Sequence, residues 1–232
     1  CTPTRAALIT GRYQQRVRLE RAINPGPQEP GLAATGRSLP QLIKNNGYAT
    51  GLVGKWHLGW KPEFSPNAHG FDYFFGFKSG FIDYYQHTRQ DGMDDLFEND
   101  KPVHVPGYMT DLITDHSVKF IEQHKGGPFY VNVWGHIPHN PVNPTDALVK
   151  RWGGLKVKDS DFPPQMLAKF NDVRKAGGDV DDGMRRYLAD IESLDDSVGR
   201  LLKRLDELGL RENTIVVFNS DQGADMTKAG GG

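Results

Sequence analysis

This chain of 232 residues is poor in several things that would define its class. It holds a single cysteine, Cys1, which excludes an internal disulfide framework and any zinc site built on paired cysteines. No run of apolar residues approaches the roughly 20 that a membrane-spanning helix needs. Neither sign of charge is in excess: 28 Lys and Arg against 29 Asp and Glu give a net charge of −1. There is thus no basic field to draw nucleic acid and no acidic tail. What is plentiful is glycine and proline, 27 and 15 residues, in a chain otherwise composed like a globular protein and long enough to bury a core.

The hydrophobic pattern alternates helix and strand, which predicts a layered α/β domain with a mainly parallel sheet. Pro3 suits the first turn of a helix reaching about Thr10, with Cys1 at its N-terminus, where unpaired N–H groups favour an anion. A second helix is expected from Leu39 to Asn46, capped by Ser38 and stopped by Gly47. A strand from Tyr48 to Val53 follows, then Gly54-Lys55-Trp56-His57 as a loop. Further helices are expected from Thr110 to His124, around 164–176, and over 184–208, where Met184, Leu188, Ile191, Leu194 and their successors keep helical spacing. Strands are expected at Phe129–Trp134 and, buried, at Thr214–Asn219. Residues 60–107 and 141–182 read as irregular, variable stretches.

Three polar clusters stand just after expected strands: Lys55 with His57, His136 with His139, and Asp221 with Gln222. Ligands of open α/β sheets bind beyond the carboxyl ends of the strands, so these clusters are expected to converge on one rim. A phosphate-binding P-loop is excluded, since Ala49 stands where that motif needs its first glycine and Trp56 where it needs Ser or Thr. His136 and His139 have no helix to present both imidazoles and have Pro138 between them, which argues against zinc.

The opening Cys1-Thr2-Pro3-Thr4-Arg5, followed by Leu8-Ile9-Thr10-Gly11, resembles the signature of the type I sulfatases. Gly47-Tyr48-Ala49-Thr50-Gly51 running into Gly54-Lys55-Trp56-His57 resembles that family's second signature. Ile137-Pro138-His139 and Ser220-Asp221-Gln222-Gly223 resemble further elements, and His69-Gly70-Phe71-Asp72 is similar to a segment between them. The resemblance runs from residue 1 to about 225. It implies the alkaline-phosphatase-like sulfatase fold and the hydrolysis of sulfate esters, with residues 1–232 as part of the catalytic domain.

It also implies roles. Cys1 would be oxidised to formylglycine by a maturation enzyme and act, as the hydrate, as nucleophile. Arg5 and Lys55 would hold the hydrate and the sulfate oxygens, His57 would accept a proton, and His139 would bind substrate and assist the leaving alcohol. Asp221 and Gln222 would hold calcium, with magnesium the second choice; Gln222 stands where the family usually has Asn or His. The substrate would be a small-molecule or glycan sulfate ester, and the compartment one outside the cytosol. The family's upstream pair of aspartates, a later lysine and a C-terminal subdomain are not among these residues. The chain alone is therefore expected to bind calcium poorly and turn over little. Two alternatives stay open: a hydrolase of phosphate or phosphonate esters, and a binding protein whose Cys1 stays a thiol.

Overall fold

A computed structural model describes residues 1–26, 28–221 and 223. They divide into two compact units, one made of 1–136 with 198–221, the other of 137–197.

The first unit is built on a five-stranded sheet in the order β4-β3-β2-β1-β5. Strand β1 (Ala49–Lys55) lies between β2 (Tyr73–Phe77) and β5 (Phe129–Trp134) and is parallel to both. It is buried along almost its whole length, as a central parallel strand covered on both faces should be. Two short strands, β3 (Phe97–Glu98) and β4 (Lys101–Pro102), extend the sheet antiparallel beyond β2, so it is mixed at one edge.

Alternation along the strands sorts the core onto two faces. Leu52 and Phe74 pack with Ala6 and Ile9 of α1 (Thr2–Thr10) and with Trp56 and Phe71. Val53, Phe75 and Phe77 pack with Met109 and Ile113 of α3 (Met109–His124). Helix α1 carries proline in its first turn and ends at Thr10, as expected, with Gly11 in the left-handed region closing it. Helix α2 (Leu39–Asn45) starts at Ser38, whose hydroxyl accepts from the Gln41 N–H at 3.3 Å. Ile113, Phe120 and Ile121 are the buried face of α3, as expected.

At the carboxyl end of the three long strands there is no room for side chains between backbones. Gly54 pairs with Gly76 on one side and Trp134 on the other. A Cβ on Gly54 would overlap the Trp134 carbonyl, and one on Gly76 the Gly54 carbonyl; both glycines also have positive φ.

The second unit contains α4 (Asp146–Arg151), α5 (Pro164–Lys175) and the first part of α6 (Val180–Glu207), around Phe170, Val180 and Met184. The Arg151 guanidinium and the Trp152 indole both reach Glu192, and Lys156 pairs with Asp181 at 2.9 Å.

Four expectations need correction. Lys55 is the last residue of β1 rather than part of a loop, because it pairs with Phe77 of β2. That partner was not foreseen: residues 60–107 include β2, a continuous aromatic run without the alternation that marks a half-buried strand. In α6 the helical period holds, but Ile191 is exposed while Ala189, Asp190, Ser193 and Ser197 are buried, so the buried edge follows small and polar residues. Finally, Thr214–Asn219 is not a strand, and Ile215 is 93% exposed. A strand exists through its ladder, and this segment is hydrogen-bonded to no strand of the sheet among the described residues.

Candidate active site

The residues gathered at the strand ends are held by α1, β1 and the segment leading to Asp221. Cys1 is the N-cap of α1, and its carbonyl accepts from the Arg5 N–H at 3.1 Å. One turn into the helix, the Arg5 side chain turns back into the fold. Its Nη1 donates to the Lys55 carbonyl at 2.7 Å, its Nη2 lies 3.5 Å from an Asp221 carboxylate oxygen, and its plane covers the Trp134 ring at 4.7 Å. The guanidinium thus ties α1 to the end of β1, to the ring closing β5, and to Asp221.

Lys55 is 2% exposed. Burial, and then the neighbouring Arg5 charge, push its pKa down to about 7, against the pull of Asp221. Arg5 is lowered to about 10 by burial, with Asp221 again opposing. Two buried cations share one carboxylate, which leaves the site short of negative charge. An arriving anion would relieve the deficit.

His57 follows two residues after Lys55, with left-handed backbone, φ 59°. Its ring is buried, and its Nε2 is 2.8 Å from the Ile23 carbonyl. Burial first, then the Lys55 charge, lower its pKa to about 3, so the imidazole is neutral at physiological pH. The Thr2 hydroxyl donates to the His57 carbonyl at 2.9 Å. Gly80 lies against the ring: a Cβ there would come 2.9 Å from His57 Cε1.

The structure therefore brings Cys1, Arg5, Lys55, His57 and Asp221 into one region of the first unit. His136 is in the same unit but is buried among aromatics, with Phe77 at 5.1 Å and Tyr84 at 4.5 Å between ring centroids. His139 is in the second unit, its Nδ1 2.6 Å from the Asn140 carbonyl oxygen. Gln222 lies outside the described residues. Among the described residues, no group of three or more His, Cys, Asp or Glu is placed to hold a metal ion. Thr2, Ile23, Gly80 and Trp134 were not foreseen as site residues. Only Thr2, next to Cys1, and Trp134, at a strand end, stood where the sequence offered a signal.

A family model described as Sulfatase matches residues 1–232. Mouse arylsulfatase J is 29% identical over 99% of this chain and 36% of its own length. Mouse N-acetylgalactosamine-6-sulfatase is 29% identical over 99% of this chain and 42% of its own. The chain thus spans about two-fifths of the curated relatives it matches. Among solved structures, Ps i-CgsB in complex with k-i-k-neocarrahexaose superposes with a TM-score of 0.81 at 26% identity, covering 99% of this chain and 49% of that one. A protein solved with its substrate D-glucosamine-2-N,6-O-disulfate shares the fold, with a TM-score of 0.74 at 22% identity over 99% of this chain and 57% of that one. No helix among the described residues is long and apolar enough to cross a membrane.

Proposed function

The chain belongs to the sulfatase family, and from that premise we propose that its residues carry the nucleophile and the anion-holding groups of an enzyme that hydrolyses sulfate esters. The observation that carries the reading is the pair of buried cations, Arg5 and Lys55, locked together beside the helix end that bears Cys1.

Oxidised to formylglycine by a maturation enzyme and hydrated, Cys1 supplies two hydroxyls on one carbon, one to attack sulfur and one to lose a proton as sulfate is released. Arg5 and Lys55 stabilise the charge that builds on the sulfate oxygens, from positions fixed before substrate arrives. With its pKa lowered to about 7, Lys55 would be drawn to the ammonium form by the negative charge of a bound sulfate ester. His57, neutral by burial, is the proton acceptor. For His139 the role at the ester oxygen and leaving alcohol rests on the sequence resemblance alone.

Calcium, or failing that magnesium, belongs to the same proposal: a hard cation would polarise the sulfate and lower the hydrate's pKa. Asp221 is the described residue suited to hold it, with Gln222 beside it in sequence. Such an ion takes about six to eight oxygens, and Asp221 is already engaged by Arg5. Other donors must complete the shell, and no role above depends on it. The substrate class is a sulfated sugar or a smaller sulfate ester, supported by the oligosaccharide bound to Ps i-CgsB and by the name of the N-acetylgalactosamine-6-sulfatase relative. The compartment proposed is one outside the cytosol.

Two measurements on the full protein from its own host test this. Mass spectrometry of the Cys1 peptide is expected to find the aldehyde; an unmodified thiol would favour a non-catalytic binding protein. Paired aryl sulfate and aryl phosphate assays are expected to show turnover of the sulfate, and a preference for phosphate would move the protein to a different hydrolase class.

A further inference from the structure

Three hydrogen bonds meet around His57 that belong neither to the charged pair nor to the sheet. Nε2 of the ring is 2.8 Å from the Ile23 carbonyl oxygen. A carbonyl can only accept, so Nε2 carries the ring proton and Nδ1 the lone pair. The Thr2 hydroxyl donates to the His57 carbonyl at 2.9 Å and accepts from the Ile23 N–H at 3.3 Å. One buried hydroxyl, directly after Cys1, thus grips both the backbone that carries the ring and the residue whose carbonyl holds it.

The grip has work to do. His57 has a left-handed backbone, which a residue with a side chain keeps only when its surroundings over-determine it. Gly80 closes the space beside the ring, limiting how far the imidazole can turn. Nδ1 is buried and has no hydrogen-bond partner among the described residues. The side-chain charges that bear on the ring are those of Lys55 and Arg5, both of which disfavour the imidazolium.

We infer that Thr2 and the Ile23 peptide are positioning elements, which together hold His57 as the Nε2–H tautomer and keep Nδ1 as its proton-accepting atom. When a proton arrives on Nδ1, the Nε2–H stays on the Ile23 carbonyl, and the positive charge strengthens that bond. The inference rests on the sulfatase reading only for the source of the proton; the tautomer and its dependence on Thr2 stand apart from it.

The test is long-range 1H–15N NMR of the full chain labelled with 15N-histidine, with the His57 signals assigned by their loss in His57→Gln. The wild-type ring is expected to show a protonated Nε2 and a bare Nδ1, and to stay neutral from about pH 8 down to about pH 5. An Nδ1–H tautomer, or an imidazolium at neutral pH, overturns the inference even if no Thr2 variant folds. In Thr2→Val the tautomers are expected to mix. The kcat per converted Cys1, counted by mass spectrometry in each variant, is expected to fall by about tenfold to a hundredfold with KM little changed. Thr2→Ser is expected to restore both. If Thr2→Val lowers only thermal stability and leaves the tautomer and kcat as in wild type, Thr2 is merely structural and the inference fails. If the full protein from its own host, with Cys1 converted, turns over no sulfate ester while the NMR result holds, the sulfatase reading fails and the positioning role remains.

Discussion

A lysine ammonium kept 2% exposed beside a guanidinium is a residue the fold would be more stable without. The Lys55 pKa falls from the ordinary lysine value to about 7 on folding. Between about pH 7 and the ordinary value, the unfolded chain holds a proton that the folded chain has lost. Stability therefore rises with pH through that window, and below it the burial cost is borne in full. Lys55→Met removes the cost. It is expected to raise Tm at pH 7, each kcal/mol regained being worth about 2–4 °C in a chain of this size, and to abolish sulfate ester turnover. Calorimetry and an aryl sulfate assay on one preparation check both signs. Arg5→Lys is expected to lose at least about a hundredfold in kcat, because one ammonium cannot reach the Lys55 carbonyl and Asp221 and also cover the Trp134 ring. A wild-type rate in Arg5→Lys would reduce Arg5 to a simple charge. That Arg5, Lys55 and His57 belong together was legible in the sequence, since the residue types and spacings that carry the resemblance sit in short windows. Thr2 and Ile23 were not, because their contacts each join a side chain to a backbone atom across 55, 21 and 34 residues and leave no spacing to read.

For the elements, the decisive fact is the contact of three backbones at Gly54, Gly76 and Trp134. Gly54→Ala would force β1 and β5 apart and ask alanine to hold φ 112°. A loss of about 3 kcal/mol or more is expected in urea unfolding, and a loss below about 1 kcal/mol would mean that the strand ends yield easily. Helices α1 and α2 were legible because their starts and stops are local events, Pro3 opening a first turn, Ser38 capping and Gly47 stopping; α4, inside the stretch read as irregular, was not. The strands were read less well. Tyr73–Phe77 lacks alternation because it is covered on both faces, and Thr214–Asn219 has every strand propensity but no ladder among the described residues. In both cases pairing decides, and pairing is not a property of the segment.

At the scale of the whole molecule, an even balance of charge and a stretch of uncovered apolar side chains act together. Val217 and Phe218 are 79% and 74% exposed, in a chain of net charge −1 that offers little electrostatic repulsion between copies. Residues 1–232 as an isolated chain are expected to self-associate and to bind a hydrophobic dye. Val217→Lys is expected to reduce both, checked by light scattering and dye fluorescence; unchanged association would place the sticky surface elsewhere.

Thr2 is fully buried and Arg5 nearly so, each fastened to distant parts of the fold within one turn of Cys1. The side chains that mark this cysteine out can therefore be read by another protein only while the chain is still open. The oxidation proposed for Cys1 thus has a deadline, and folding sets the clock. On that proposal, a chain that closes early is expected to keep its thiol and a slow-folding variant to gain time for conversion, and refolding in the test tube would come too late.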